Sequence, residues 1–462
     1  MTDRITDRIS RRDVLKTVAV SGTIGLAGCD TTSESTPTPG PTEIPSKEYG
    51  INEWGQMLNA HAEEANIDWQ QFEGDDIELT FGMGLHPYST TFSTQAPDGT
   101  MVKDYFEELT GITVNYEIVS EDQFWLETEA ALSSDENPYD GIMNGLWPAG
   151  GYHYGDGDGS WVRDLNEFIE NASLTDQDWL AMDDFREQTI ELMSFPNEDG
   201  VVEFTGFPNG IETYGADWID RDEKVATLNS EEGIAALEQF GGMLHNYGPA
   251  NPSTYDWYSN NNAYSEGRVG MMYSTPQTSG IVDTEVMENT KWIPPLPGPD
   301  GQEPVSDTWV WSTGITVTSP NPEAAWLYVQ WANSRMANLL LSTRQWEGDG
   351  PRAGYARLDY VEEQINQGNA PPVPGEGYLE TFRQGMNAVP GGNPDRPDEY
   401  PPVPVDTPQN MNIMSEVAQA MSSVIANGPE NAESELNAIA PQVTEYAKRI
   451  PDRYVAADRF LR

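Results

Sequence analysis

The segment Ile77-Glu78-Leu79-Thr80-Phe81 alternates apolar and polar side chains and runs out into Gly82 and Gly84, the pattern of a strand that feeds a loop. From Met101 to Leu109 the period becomes helical: Val102, Tyr105, Phe106 and Leu109 share one face, and Gly111 stops it. Ile112, Val114, Tyr116 and Ile118 alternate again as a second strand, a second amphipathic segment begins near Glu121, and Tyr139 to Leu146 offers a third strand. The order strand, helix, strand, helix, strand predicts a parallel α/β sheet whose ligand loops lie at the carboxyl ends of its strands.

Further along, Asn321-Pro322-Glu323 reads as a helix start, with a capping Asn, Pro at the first helical position, and Ala324, Leu327, Tyr328 and Trp331 as the buried stripe. Residues 370–408 are dense in Pro and Gly and predict an irregular surface belt. Two helices follow, striped by Met414, Val417, Ala418, Met421 and Ile425 and then by Leu436, Ile439, Val443 and Tyr446; both stripes read as core.

The amino-terminal residues obey other rules. Arg4, Arg8, Arg11, Arg12 and Lys16 lead into an apolar run, Val14 to Gly28, too short and too rich in Gly, Ser and Thr to span a bilayer. Ser10-Arg11-Arg12-Asp13-Val14-Leu15-Lys16 resembles the twin-arginine export signal, with Val14 where Phe is usual. Leu26-Ala27-Gly28-Cys29 resembles a lipobox, which makes Cys29 the lipidated first residue of the mature chain. Residues 1–28 are thus expected to be an export signal and residues 29–47, rich in Thr, Pro and Ser, a tether that holds the body off the extracellular face of the cytoplasmic membrane.

Charge narrows the partners. Of 462 residues, 24 are Lys or Arg and 76 Asp or Glu, so the formal net charge is 24 − 76 = −52. Such a polyanion repels phosphate backbones, and no nucleic-acid partner is expected. The acidity recurs along the whole chain, with few lysines, which points to adaptation to molar salt, where the screening length is about 3 Å. A single cysteine excludes internal disulfides and multi-cysteine metal sites, and the four histidines (His61, His86, His153, His245) show no metal spacing. Asp156-Gly157-Asp158-Gly159-Ser160 with Glu167 has the oxygen spacing of a calcium loop, but Trp161 stands where such a loop needs Gly, which favours a polar turn. Neither metal nor cofactor is expected. Asn171-Ala172-Ser173 is a glycosylation sequon, meaningful because the chain carries an export signal.

From about Ile77 onward, ordered segments resemble the sugar-binding family 1 of extracellular solute-binding proteins of ABC importers, which includes maltose-binding protein. They are the strand Ile77 to Phe81, YFEELTGITVNYEIV from Tyr105, NPYDGIMNGLW from Asn137, FPNGIETYG from Phe207, NSEEGIAALEQF before AYSEGRVGMMYS, TKWIPPLPGP, WSTGITVTSPNPEAAWLYVQWANS and GPRAG from Gly350. The resemblance implies a two-lobe periplasmic-binding-protein fold of type II, each lobe a mainly parallel sheet flanked by helices, in a haloarchaeal-type lipoprotein. Lobe 1 is expected to comprise residues 48–210 and 295–345, and lobe 2 residues 211–294 and 346–462. It further implies a monomeric receptor that closes on a carbohydrate or polyol and presents it to ABC permease subunits.

Sugars offer hydroxyl edges and apolar C–H faces, so their sites combine aromatic platforms with amide, carboxylate or Arg groups. The chain has 14 Trp and 20 Tyr against 13 Phe, an aromatic set rich in polar tips. The resemblance places candidate contacts at His86 and Tyr88 after the first strand, Asn144 and Trp147 after the third, and Glu212 in the first crossing between lobes. It adds Tyr273 and Ser274 after the "A-M" strand, Trp309 and Trp311 before the Asn321 helix, and Trp346 and Arg352 near the third crossing. A secreted glycoside hydrolase is the rival reading; it needs two carboxylates about 5 to 9 Å apart.

Overall fold

The computed structural model describes residues 50–450 apart from 135, 156–158, 187–188, 191–192, 197–201, 213–217, 221–222, 250–254, 256, 273–277, 279–281, 295–308, 344–355, 371–374 and 389–408. The signal, the tether, Cys29 and the first three residues of the calcium-like loop therefore lie outside the described residues.

The alternating segments form the strands expected of them. β1 (Glu78–Gly84) pairs in parallel with β2 (Thr113–Val119) on one side and β3 (Gly141–Gly145) on the other. The pairing of β1 with β3 depends on Gly141, because a Cβ there would sit 2.2 Å from the Phe81 ring. Helix α1 (Ile51–Ala62) precedes the sheet and α2 (Pro87–Ser93) leaves β1 directly. α3 (Asp104–Thr110) buries Tyr105 and Phe106 together with the preceding Val102, and ends at Gly111, whose φ of 76° is one that glycine adopts without strain. α4 (Glu121–Leu132) returns the chain to β3, and α5 (Leu146–Tyr154) starts where β3 stops. Short helices α6 (Asn166–Ile169) and α7 (Gln177–Leu180) and a two-stranded ribbon of β4 (Ser194–Pro196) and β5 (Val202–Phe204) lead to β6 (Phe207–Glu212). β9 (Trp309–Ile315) then inserts antiparallel between β3 and β6, so the five-stranded sheet runs β2-β1-β3-β9-β6 and is mixed rather than wholly parallel.

Behind the sheet lies α11 (Pro322–Ala332). Every residue from Ala324 to Ala332 is buried, so the stripe read from the sequence is one part of a helix enclosed on all sides. Its aromatic residues form the centre of the core: Tyr328 meets Phe81 at 5.0 Å and Phe106 at 5.1 Å between ring centroids, and Trp331 meets Phe106 at 5.5 Å. Their polar tips are satisfied. The Trp326 indole donates to Thr175 Oγ1 (2.9 Å), that of Trp331 donates to Asn59 Oδ1 (3.1 Å), and the hydroxyls of Tyr116 and Tyr328 bond to each other. Asn321 occupies the cap position, but its side chain makes no cap bond; instead its backbone N–H donates to Ser319 Oγ, which itself donates to Asp140 Oδ1 (2.6 Å).

α12 (Arg335–Thr343) follows, and α13 (Leu358–Asn366) and α14 (Tyr378–Asn387) pack against it through Leu339, Leu358, Val361, Phe382 and Met386. α14 corrects the expected irregular belt. The prolines of residues 370–408 leave 375–389 free, and there Tyr378, Phe382 and Met386 recur every fourth residue and are buried.

The remaining region is helical. α8 (Glu231–Tyr247), α15 (Asn410–Asn427) and α16 (Ala432–Ala447) pack together beside a hairpin of β7 (Ile219–Asp220) and β8 (Val225–Ala226), with α9 (Trp257–Ser265) and α10 (Thr284–Glu288) nearby in sequence. Two glycines set the closeness of α8: a Cβ on Gly241 would meet Val424 at 2.6 Å, and one on Gly242 would meet Pro429 at 3.1 Å. The α16 stripe is as expected, with Leu436 and Val443 buried. That of α15 is rotated, because the helix is covered from both α8 and α16: Ile413, Ala420, Val424 and Ile425 are buried, Met414, Val417 and Met421 half-buried, and Ala418 exposed. The residues before Tyr273, which the resemblance placed on the "A-M" strand, take no strand pairing among the described residues, and Met271 is exposed.

Candidate ligand-binding site

The carboxyl ends of β1 and β3 and the start of β9 converge on one wall. β1 ends at Gly84, and the next N–H, that of Leu85, donates to Val119 O (2.8 Å), tying the loop to β2. His86 then caps α2: its Nδ1 accepts from Tyr88 N (3.2 Å), which leaves Nε2 to carry the proton of a neutral ring, and its own N–H donates to Ser89 Oγ. With the ring thus fixed, His86 stacks on Trp311 at 4.3 Å between centroids and 33° between planes. Trp311 continues into Trp125 (5.6 Å), which meets Phe124 edge-on (4.8 Å). Room for the Trp311 indole comes from its neighbours, since its partners across the sheet are Gly145 in β3 and Gly210 in β6.

Asn144, the penultimate residue of β3, sits one residue out of phase with Trp311, opposite Ser312. It is 0% exposed, and neither Oδ1 nor Nδ2 has a hydrogen-bond partner. A buried amide left unpaired at both atoms costs on the order of 1 to 3 kcal/mol per group, so a polar guest that both donates and accepts is strongly favoured there.

Tyr88 goes elsewhere. It is buried against Phe92 (5.0 Å), with Thr313 and Asn333 beside its hydroxyl, and burial pushes its phenol above the ordinary value. Trp147 is the second residue of α5, and Glu212 and Trp309 are partners across β6 and β9; for these three the backbone alone is described. Tyr273, Ser274, Trp346 and Arg352 lie outside the described residues. The structure therefore brings His86 and Trp311 into contact, sets Asn144 one register position away, and pairs Glu212 with Trp309.

A second set of residues went unread in the sequence. The Tyr258 hydroxyl at the start of α9 donates to Leu85 O (3.0 Å), joining α9 to the loop that carries His86 across 173 residues of chain. Trp257 meets Tyr258 edge-on (5.0 Å), and its indole N–H is buried with no hydrogen-bond partner. One turn later Asn261 is buried, its Nδ2 donating to Trp257 O (2.8 Å) and its Oδ1 unpaired. A Trp-Tyr pair followed by Asn at the next turn is the composition a hydroxyl-rich ligand calls for, and that was the available signal. Among the described residues no group of three or more His, Cys, Asp or Glu is placed to hold a metal ion, and no helix is long and apolar enough to cross a membrane.

A mixed α/β sheet with ligand loops at its strand ends, joined to a second helical region, is the framework of a two-lobe binding protein. Solved structures of similar shape agree. Maltose-bound MalE3 of T. maritima superposes with a TM-score of 0.55 at 15% identity, covering 80% of this chain and 99% of that one. A solute-binding protein of an ABC transporter from Agrobacterium radiobacter, in complex with ribitol, gives 0.54 at 15% identity over 79% and 98%. The fold is therefore the two-lobe periplasmic-binding-protein fold expected from the sequence. Residues 95–338, more than half of the chain, match the bacterial extracellular solute-binding protein family, and the chain belongs to that family. The erythritol/L-threitol-binding protein of Mycolicibacterium smegmatis is 22% identical over 342 residues, 58% of this chain and 69% of that protein.

Proposed function

We propose that the protein is the receptor of an ABC importer, capturing a carbohydrate or polyol between two lobes and handing it unchanged to permease subunits. The observation that carries this reading is Asn144, a fully buried amide with both atoms unpaired at the end of a central strand. A hydroxyl both donates and accepts, so a polyol oxygen answers both needs at once, and the aromatic group of Trp311 and His86, one register position away on the other face of the sheet at the same strand ends, offers a separate platform for apolar C–H groups. The relative named for erythritol and L-threitol, and the structures of similar fold that hold ribitol and maltose, support this ligand class. Trp147, Glu212, Trp309, Tyr273, Ser274, Trp346 and Arg352 are assigned to the same cleft, and Tyr88 to the packing behind it. The work done is differential binding to the closed form, with no bond made or broken. The receptor acts as a monomer, exported through the twin-arginine route and held at the outer face by a lipid on Cys29.

Calorimetry in molar KCl against tetritols, pentitols, hexitols and malto-oligosaccharides, followed by chromatography of the recovered solute, tests the receptor. Binding with the solute returned intact is expected; cleavage of a glycoside would replace the receptor with a hydrolase. Cell fractionation tests the anchor: Cys29→Ser should leave the body soluble outside the cell, and a variant that stays with the membrane removes the lipid from the account.

A further inference from the structure

We propose that Asn171 carries an N-linked glycan; the proposal rests on the export reading above. The chain holds one Asn-x-Ser/Thr triplet whose middle residue is not proline, Asn171-Ala172-Ser173, since Asn251-Pro252-Ser253 is blocked by its proline. Ser and Thr are common enough that the triplet alone says little, and the structure supplies the rest. All three residues are exposed, in the turn between α6 and α7. The turn is fixed from beneath: Leu174 N and Thr175 N both donate to Asn171 O (2.9 Å each), and Thr175 Oγ1 donates to Phe168 O while accepting the buried Trp326 indole.

On its outer side the Asn171 side chain is already bent toward the serine. Its Oδ1 accepts from Ser173 N (3.0 Å) and from the Ser173 hydroxyl (2.7 Å), and its Nδ2 makes no hydrogen bond among the described residues. Two donors on the amide oxygen draw electron density away from nitrogen and make its protons easier to remove. The acceptor is thus presented to water, in a turn a transferase can engage after the chain has folded.

The co-substrate is an oligosaccharide joined through a phosphate ester to a lipid carrier. Nδ2 forms a bond to the sugar C1 as the bond between C1 and the phosphate oxygen breaks. The electron pair departs with the lipid phosphate, and one Nδ2 proton passes to a base of the transferase. Nothing is oxidised or reduced.

Peptide mapping by tandem mass spectrometry, on full-length protein from the membranes of its native cells, tests this. The Asn171 peptide should carry a hexose-containing mass increment that vanishes in Asn171→Gln, Ser173→Ala and Ala172→Pro and persists in Ser173→Thr. An unmodified Asn171 overturns the proposal, as does an increment that survives Asn171→Gln. In the same digest, a peptide beginning at Cys29 reports export independently, so a failed glycan and a failed export are told apart.

Discussion

α11 and α8 are helices of opposite kinds. The first has eleven residues, nine of them buried without a break; the second has seventeen, of which Leu237, Gly241 and Gly242 are buried. The sheet side of the molecule is thus built around a helix enclosed in aromatic side chains, and the helical side around backbones brought close by glycine. Enclosure makes the first region a rigid platform from which β1, β3 and β9 present the candidate site. Close approach with exposed outer faces, where Met243 and Tyr247 meet solvent, leaves the second region with less apolar area holding each residue.

That contrast can be broken by experiment. The largest effect should come from salt. With a net charge of −52, dialysis toward about 10 mM salt lengthens the screening distance to roughly 30 Å and should unfold the protein. Hydrogen exchange during the descent should show α8, α15 and α16 opening before β1 and α11, and simultaneous loss in both regions would erase the distinction.

Trp326→Ala comes next. The side chain is fully buried, stacks on Phe168 at 5.9 Å and donates to Thr175, so truncation should cost about 3 to 5 kcal/mol in a high-salt melt. Arg357→Met probes the junction after residues 344–355. This guanidinium is 0% exposed, pushed down to about 10 by burial against the pull of Asp184, and donates to Asp184 and to the carbonyls of Leu180 and Ala181. Its loss should cost about 3 kcal/mol, because those oxygens stay buried while Arg335 retains its own pair with Asp184. A stability change under about 1 kcal/mol would mean that the buried cation adds little beyond what an apolar side chain of similar length supplies there.

Asn144→Ala separates binding from folding. Affinity for the bound solute should drop by about five- to 150-fold, which is 1 to 3 kcal/mol, with melting unchanged or raised, since an unpaired amide is removed. A destabilised variant with normal affinity would assign Asn144 to the scaffold. The smallest effect belongs to Tyr258→Phe, which removes the hydrogen bond to Leu85 O and should weaken binding by about two- to tenfold, read as faster release in stopped flow.

The two regions were not equally legible. β1, α3, β2 and α4 followed from period and from a glycine or polar break at their ends, whereas β3, buried at all five positions, offered no alternation and was read only as an apolar run between breaks. α14 was hidden by averaging proline over a window in which the prolines cluster at the edges, and the α15 stripe was read out of phase because two neighbours share its burial. At the candidate site, the resemblance pointed to His86 from its place after the first strand and to Trp311 from its place before the Asn321 helix. The role of α9 was not, since the bond from Tyr258 to Leu85 exists only once 173 residues of chain have folded, and nor was the state of Asn144, because lack of a partner is a property of surroundings rather than of sequence.

The place of β9 in the sheet has a consequence in time. β3 and β6 are complete once the chain has reached Glu212, yet the strand between them begins at Trp309, so during synthesis the central slot stands open while about a hundred further residues emerge. Until then β3 and β6 present unpaired edges and Gly145 and Gly210 wait for Trp311 to fill the space between them. Closure of the sheet is therefore a late, long-range event, and slow folding relative to a locally wound helical protein of this size is built into the order of its strands.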